Sequence, residues 1–180
     1  MFRFAVIATG TALASLLYLL PAQAAPAVGT PVILEWTNHD CPYVRKHYDS
    51  GNMQALQRDA TAAGYTWLSV ISSAPGKQGN VSPAQADTLT QSRGAAPTAV
   101  LLDPEGTIGR AYGARTTPHM FIIDREGTLV YMGGIDDRPS TNVADIEGAE
   151  NYVRRAIADL DAGRPIGEPV TRPYGCSVKY

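Results

Sequence analysis

The chain has few cysteines, little net charge and none of the common cofactor motifs. Its 180 residues include two cysteines, Cys41 and Cys176, and its formal net charge is −2. No basic patch or long run of one charge occurs, so we expect no nucleic-acid partner. A P-loop, a G-x-G-x-x-G motif, an H-E-x-x-H motif and a serine elbow are missing from the sequence. We therefore expect neither a bound cofactor nor a resident metal ion.

One long apolar run stands near the first residue. Arg3 precedes an apolar stretch from Ala5 to Leu20, and Ala22-Gln23-Ala24 follows it. This is the layout of a secretory signal peptide, here with cleavage after Ala24. The run is short of the roughly 20 apolar residues that span a bilayer, so no stable membrane association is expected after cleavage. We expect the protein in the periplasm or secreted, with one domain over residues 25–163 and an extended tail over 164–180 that carries Cys176.

Apolar periodicity in the rest of the chain alternates between strands and helices. Strands are expected at five segments: 32–36, 65–72, 98–102, 119–124 and 128–132. Helices are expected at four segments: 41–63 (interrupted at 50–52), 82–93, 108–112 and 149–162. The order β-α-β-α-β-α-β-β-α predicts an α/β fold with a central mixed sheet, built from parallel βαβ units and a terminal β-hairpin and flanked by helices. Four aromatic residues are assigned to the core: Trp36, Trp67, Phe121 and Tyr131.

The stretch around Cys41 is the best candidate for a chemical site. An apolar strand ends at Trp36, a polar turn follows, and Cys41-Pro42 then starts a helix. Proline suits the first helical position because its missing N–H would be unpaired there. A cysteine at a helix N-terminus has its pKa lowered from about 8.5 toward roughly 3.5–7.5. Arg45 falls on the same helical face and is expected to stabilise the thiolate further. The competing interpretation is a buried cysteine that only packs or forms a structural disulfide.

Three motifs in the sequence carry a resemblance to a known family. Residues 38–44 read Asn-His-Asp-Cys-Pro-Tyr-Val, and residues 175–179 read Gly-Cys-Ser-Val-Lys. Residues 116–124 read Thr-Thr-Pro-His-Met-Phe-Ile-Ile-Asp. Together they resemble the thioredoxin superfamily, and more narrowly its redoxin or AhpC/TSA-like (peroxiredoxin-like) branch. The resemblance covers nearly all of residues 29–180. It implies a thioredoxin-like fold in which the Thr117-Pro118 peptide bond is cis and Pro118 packs beside Cys41.

The sequence also departs from the patterns of this superfamily. Val44 stands where a thioredoxin-type reductase has its second cysteine, so Cys41 has no local partner thiol. Asn38 replaces the threonine that a typical peroxiredoxin has three residues before its cysteine, and Thr37 comes one place earlier. His119 lies in the region where an arginine is expected. These differences weaken the case for both activities without removing either.

The activity that the resemblance implies is thiol-dependent peroxide reduction or thiol–disulfide exchange. Cys41 would be the nucleophile and Cys176, on a tail mobile enough to deliver it, the resolving cysteine. The partners would be a peroxide or a protein thiol or disulfide, together with an external thiol reductant. Other residues receive secondary roles: Arg45 or Arg115 would hold the anion, and His39 and His119 would relay protons or orient polar groups. His47 is assigned to packing or the surface, and Asp136 and Asp137 to a solvated loop.

Two alternatives stay open. In the first, Cys41 and Cys176 form a permanent disulfide in a non-catalytic binding or scaffold protein, a bond that stabilises such a loop by about 4–5 kcal/mol on the chain-entropy model. In the second, Cys41, His39 and His119 form the soft ligand set of an exported copper chaperone. Chaperones of that fold use paired cysteines in the active loop, and only one is present here.

Overall fold

A computed structural model describes residues 29–180 of the chain. The predicted signal peptide lies outside these residues. Among residues 29–180, no helix is both long and apolar enough to cross a membrane.

Five strands form the central sheet. They are β1 (Val32–Trp36), β2 (Thr66–Ile71), β3 (Ala99–Leu102), β5 (His119–Ile123) and β6 (Leu129–Gly133). The order across the sheet is β3-β2-β1-β5-β6. The β1, β2 and β3 strands run parallel, while β5 is antiparallel to both β1 and β6. Parallel βαβ units followed by a hairpin confirm the sheet expected from the sequence.

Within residues 29–180, five helices connect and cover the strands. They are α1 (Pro42–Asp49), α2 (Asn52–Ala62), α3 (Pro83–Ser92), α4 (Thr107–Tyr112) and α5 (Tyr152–Asp161), with a 3₁₀ turn at Val143–Ile146. The predicted interruption at 50–52 separates α1 from α2, where Gly51 adopts φ 76°. That left-handed conformation favours glycine and stops α1 from continuing.

Two apolar layers hold the sheet between its helices. Residues of α1, α2 and α5 pack on one face, around Ile33, Trp67 and Ile122. Residues of α4 and of the last segment pack on the other face, around Trp36 and Phe121. The four aromatic residues assigned to the core are each at most 1% exposed, which confirms that prediction.

A second, very small sheet was not anticipated. It pairs β4 (Thr116–Thr117) with β7 (Cys176–Ser177) in antiparallel register. Strands of two residues carry no periodic signal, so the sequence pattern could not reveal them. This pairing brings the end of the chain back to the β4–β5 junction, next to the start of α1.

Candidate active site

Cys41 lies at the N-cap of α1 with Pro42 in the first helical position. The turn before it is held by Asn38, whose backbone oxygen accepts from Cys41 N–H at 3.1 Å and whose Oδ1 accepts from Asp40 N–H at 2.9 Å. The Asn38 side chain also donates to the Gln78 backbone oxygen at 3.2 Å. Asn38 thus fixes the loop that carries the cysteine.

The two cysteines meet at this point. Their sulfur atoms are 2.7 Å apart, and both are free thiols in this structure. The Cys41 sulfur is also 3.1 Å from the Thr117 carbonyl oxygen. Since a disulfide bond is about 2.05 Å long, a small movement of either sulfur would suffice to form one.

The Thr117-Pro118 peptide bond is cis, as the sequence predicts. Thr117 contacts Cys41 through its carbonyl oxygen and pairs with Cys176 through the β4–β7 register. The expectation of a cis-proline loop beside Cys41 is therefore confirmed. This loop forms the wall against which both sulfurs lie.

The tail does not hang free. We call residues 169–180 the strap, because they cross the end of the sheet and cover Cys41. Backbone hydrogen bonds join the strap to Met132, Arg115 and Ala74 along its length. Its last side chain, Tyr180, donates to the Ala114 backbone oxygen at 2.8 Å. The tail is extended, as expected, and its backbone groups pair with those of the segments beside it. Its mobility stays a prediction.

Cys41 is completely buried, whereas Cys176 is partly exposed. Burial raises the pKa of the Cys41 thiol, but hydrogen bonding with Cys176 and with the Val44 amide outweighs this effect, and the pKa is lowered overall. Burial, the hydrogen bond with Cys41 and the Cys41 charge raise the pKa of Cys176 to about 11. Of the two thiols, Cys41 therefore has the lower pKa and loses its proton more readily.

Arg45 does not stabilise that thiolate. Its side chain is 63% exposed, and its Nε atom lies 3.9 Å from Asp49 Oδ2, one turn further along α1. The expectation placed its charge beside Cys41. A solvated carboxylate at i+4 is a better partner for an arginine than a sulfur that lies wholly beneath the protein surface.

Three other residues predicted to lie near Cys41 are found in different surroundings. Thr37 and His39 line a separate cavity of about 30 Å³ whose lining does not include Cys41. His119 is 3% exposed, and its Nδ1 atom accepts from the Arg115 backbone N–H at 3.3 Å. Burial and the nearby Arg115 charge lower the pKa of His119 to about 4, so its ring is neutral at neutral pH.

The copper-chaperone ligand set is not assembled. Across residues 29–180, no group of three or more His, Cys, Asp or Glu side chains is arranged to hold a metal ion. Cys41, His39 and His119 are therefore not brought together as ligands in the part of the chain that the structure describes.

Glu35 and Asp136 are buried charged groups that the sequence analysis did not place in the interior. Glu35, in the middle of β1, is 0% exposed and accepts hydrogen bonds from four side chains: Tyr48, Gln57, Trp67 and Ser69. Asp136 is 2% exposed and contacts the strap residue Tyr174, so its assignment to a solvated loop is wrong. A lone carboxylate inside an apolar strand was a readable signal for Glu35, but nothing local distinguishes Asp136 from Asp137.

Comparison with known proteins identifies the chain's relatives. Residues 22–132 match the model of the AhpC/TSA family. Curated protein sequences gave no match to this chain.

Solved structures share the architecture over most of the chain. An uncharacterized conserved protein from Geobacillus kaustophilus is 25% identical, over 84% of this chain and 78% of its own, with a TM-score of 0.70. A hypothetical protein from Sinorhizobium meliloti 1021 is 23% identical, over 85% of this chain and 81% of its own, with a TM-score of 0.67. Neither description names an activity, so these two structures bear on the fold.

Proposed function

We propose a thiol redox function for this chain, which belongs to the AhpC/TSA family of the thioredoxin superfamily. In this proposal Cys41 is the nucleophile, Cys176 is the resolving cysteine, and the Cys41–Cys176 disulfide is the oxidised form of the cycle. The observation that carries the proposal is the 2.7 Å separation of the two sulfur atoms at the N-terminus of α1.

The two thiols differ in pKa, and this difference supports separate roles for them. The pKa of Cys41 is lowered while that of Cys176 is raised to about 11. Because the thiolate is the nucleophile, Cys41 attacks first. Cys176 keeps its proton until Cys41 has been oxidised.

A peroxide is the oxidant that best fits the burial of Cys41. The sulfur is 0% exposed with the strap docked, so a small uncharged molecule needs the least opening to reach it. The thiolate attacks one peroxide oxygen, the S–O bond forms and the O–O bond breaks. Cys41 becomes a sulfenic acid, and the other oxygen takes a proton and leaves as water or an alcohol. A protein disulfide would need the whole strap to move away before it could react.

The second step joins the two cysteines. The Cys176 sulfur attacks the sulfenic sulfur, the S–S bond forms, and the hydroxyl group leaves with the thiol proton as water. With 2.7 Å between the sulfurs in the reduced protein, this step needs little rearrangement.

An external dithiol would complete the cycle. Cys176 is the more exposed of the two sulfurs, so a reductant thiolate attacks there and expels Cys41. Cys41 is also the better leaving group because its pKa is the lower one. The second thiol of the reductant then releases Cys176, and the reductant leaves as a disulfide.

The chain's location and boundaries are part of the proposal. We infer that residues 1–24 are a signal peptide, that residues 25–163 form the redoxin domain, and that residues 164–180 supply Cys176 from outside that domain. Export would place the cycle in an oxidising compartment, where a dedicated reductant has to keep the pair reduced. N-terminal sequencing of the protein purified from its native compartment tests the cleavage after Ala24.

A structural disulfide is the second candidate, and the observation that favours it is the docking of the strap along its whole length. Such a bond would fix the strap permanently. It would resist mild reductants and form without any preference for peroxide.

Intact mass spectrometry separates the two candidates. The reduced protein is treated with one equivalent of hydrogen peroxide, with Cys41→Ser and Cys176→Ser in parallel. We expect rapid loss of two hydrogens in the unsubstituted protein, a sulfenic acid on Cys41 in Cys176→Ser, and slow reaction in Cys41→Ser. Reaction no faster than that of a free thiol, or a disulfide that is reduced only after unfolding, would leave the structural candidate.

A further inference from the structure

Tyr174 lies two residues before Cys176, and its hydroxyl group is bound inside the protein. It donates to Asp136 Oδ1 and is 3.1 Å from His47 Nε2. Asp136 is 2% exposed and His47 is 0% exposed. A strap residue is thus tied by its side chain to two buried polar groups that the redox cycle itself does not use.

The hydrogen bond between Asn52 and His47 determines which group donates in the other two. The Asn52 side-chain amide donates to His47 Nδ1 at 2.9 Å. The neutral ring therefore carries its proton on Nε2 and donates it to the Tyr174 oxygen. Tyr174 is left to donate to Asp136. Burial and the charge of Lys46 lower the pKa of His47 to about 3, which keeps the ring neutral.

Lys46 balances the charge of Asp136. Its Nζ atom is 3.5 Å from Asp136 Oδ2, donates to the Arg138 backbone oxygen at 2.7 Å and lies 5.5 Å from the centre of the Tyr174 ring. Burying both charges is costly unless each is also hydrogen-bonded. For Asp136, one of those hydrogen bonds comes from Tyr174. We call Lys46, His47, Asp136 and Tyr174 the anchor cluster.

The position of the anchor cluster gives it a consequence for the cysteines. Lys46 and His47 belong to α1, the helix whose N-terminus holds Cys41. Tyr174 therefore fastens the strap to the same rigid element that positions the nucleophile. The ring of Tyr43, also in α1, packs edge-on against Tyr174 with 5.9 Å between the ring centres.

We propose that Tyr174 is a positioning residue of the cysteine pair: through Asp136 and His47 it holds the strap on α1 and keeps the Cys176 sulfur against Cys41. The expected effect on the rate of disulfide formation rests on the proposed function. The expected effect on how often the strap opens does not. Without the hydroxyl group, the strap opens more often and Cys176 spends less time beside Cys41. Disulfide formation slows, while the first attack of Cys41 on peroxide does not.

Tyr174→Phe is the direct test, because it keeps the ring and removes only the hydroxyl group. The matched control is Tyr152→Phe, at a tyrosine that lines the cleft beside Tyr174. Rapid quenching and intact mass after one equivalent of hydrogen peroxide separate sulfenic acid from disulfide. We expect disulfide formation to slow about threefold in Tyr174→Phe, because losing hydrogen bonds of ordinary strength shifts the strap from closed to open. Sulfenic acid formation stays at least as fast, and Tyr152→Phe changes neither step. Unchanged disulfide formation in folded Tyr174→Phe would overturn the proposal.

A second pair of variants asks whether the hydrogen bond itself matters. His47→Leu removes the donor to the Tyr174 oxygen, whereas the amide of His47→Gln is able to replace it. We expect slower disulfide formation in His47→Leu and a rate close to that of the unsubstituted protein in His47→Gln. Equal rates in the two variants would contradict a positioning role for the cluster.

A third measurement does not depend on peroxide chemistry. In the Cys176→Ser background, Cys41 is the only thiol, and its alkylation by iodoacetamide measures how often the strap opens. We expect Tyr174→Phe to speed alkylation about threefold, with Tyr152→Phe unchanged. If this holds while peroxide fails to oxidise the unsubstituted protein, the positioning role stands and the proposed function falls. Equal alkylation rates would remove the positioning role whatever peroxide does.

Discussion

Gly175 and Thr117 are in such close contact that a methyl group at Gly175 would come within 2.0 Å of the Thr117 carbonyl oxygen. That oxygen is the one that lies 3.1 Å from the Cys41 sulfur. Gly175 also has φ 129°, a conformation that other residues rarely adopt. The residue before Cys176 therefore has to be glycine for the strap to dock on the active-site loop.

Gly175→Ala is expected to displace the strap while leaving the sheet and helices folded. Cys41 should then be alkylated at least about tenfold faster, and disulfide formation should slow, because backbone clashes of this kind cannot be relieved by a side-chain rotation. The control is Gly167→Ala in the same tail, where an added methyl group would lie 3.9 Å from Asp159 Oδ2, an ordinary contact. Identical alkylation rates in the two variants would show that the strap tolerates a side chain at residue 175.

The lowered pKa of Cys41 depends on hydrogen bonding by Cys176 and should rise in Cys176→Ala. Thiolate absorbance at 240 nm, followed from pH 4 to 10, measures it. Because the folded protein favours the Cys41 thiolate, this group stabilises the fold above the pKa of an unfolded cysteine, and the contribution is lost as the pH falls through the folded value. Ser177→Ala, at the exposed neighbour of Cys176, is the control and should leave the titration unchanged.

Two histidines should stay neutral between pH 8 and pH 5. The pKa of His47 is lowered to about 3 by burial and the Lys46 charge, and that of His119 to about 4 by burial and the Arg115 charge. NMR titration of the ring protons should therefore show no change for either residue over that range.

The same two shifts predict how acid destabilises the protein. An unfolded histidine takes up a proton near pH 6.5, before the folded one does, so stability falls as the pH drops from about 6.5 toward 4. Urea unfolding at several pH values measures the loss, which should be smaller in His119→Gln. A stability that rises on acidification would contradict this prediction.

Glu35→Gln is expected to destabilise the fold by about 2–3 kcal/mol, because charged acceptors of buried hydrogen bonds are costly to replace. The carboxylate accepts from four donors, two of them at 2.9 Å, and a glutamine amide turns one acceptor into another donor. Urea unfolding measures the change. Glu126→Gln, in the exposed β5–β6 turn, is the control and should change stability by less than about 0.5 kcal/mol.

Much of the fold could be predicted because it is encoded locally. The apolar spacing around Trp67 and Ile122 predicts strands, and Cys41-Pro42 marks the start of a helix. The resemblance around Thr117-Pro118 gave the cis bond and its place beside Cys41. Each of these signals lies within a few residues of the feature it predicts.

The anchor cluster could not be predicted because its residues come from segments that are far apart in the sequence. His47 and Tyr174 are 127 residues apart in sequence, and Tyr174 and Asp136 are 38 apart. Nothing in the sequence around a histidine on a helix, or an aspartate in a loop, indicates which distant residue it will contact. The docking of the strap is of the same kind, since β4 and β7 span two residues each. For Arg45 the sequence offered a partner that was wrong. Helical spacing places both Cys41 and Asp49 four residues away, and the exposed Arg45 side chain pairs with the exposed carboxylate of Asp49.

In the proposed redox cycle, the burial of Cys41 under the strap would also decide which thiols the protein reacts with. Once oxidised to a sulfenic acid, a cysteine at an open helix end would form a mixed disulfide with any thiol that reached it, with release of water. Here the competing thiol belongs to the same chain and stands in contact, and well-oriented groups within one molecule react as if present at about 10⁵ M or more. Free thiols at cellular concentrations cannot match that advantage. After the disulfide of the proposed cycle has formed, a foreign thiol would reach the more exposed sulfur of Cys176 first, and Cys41 would be released as a free thiolate.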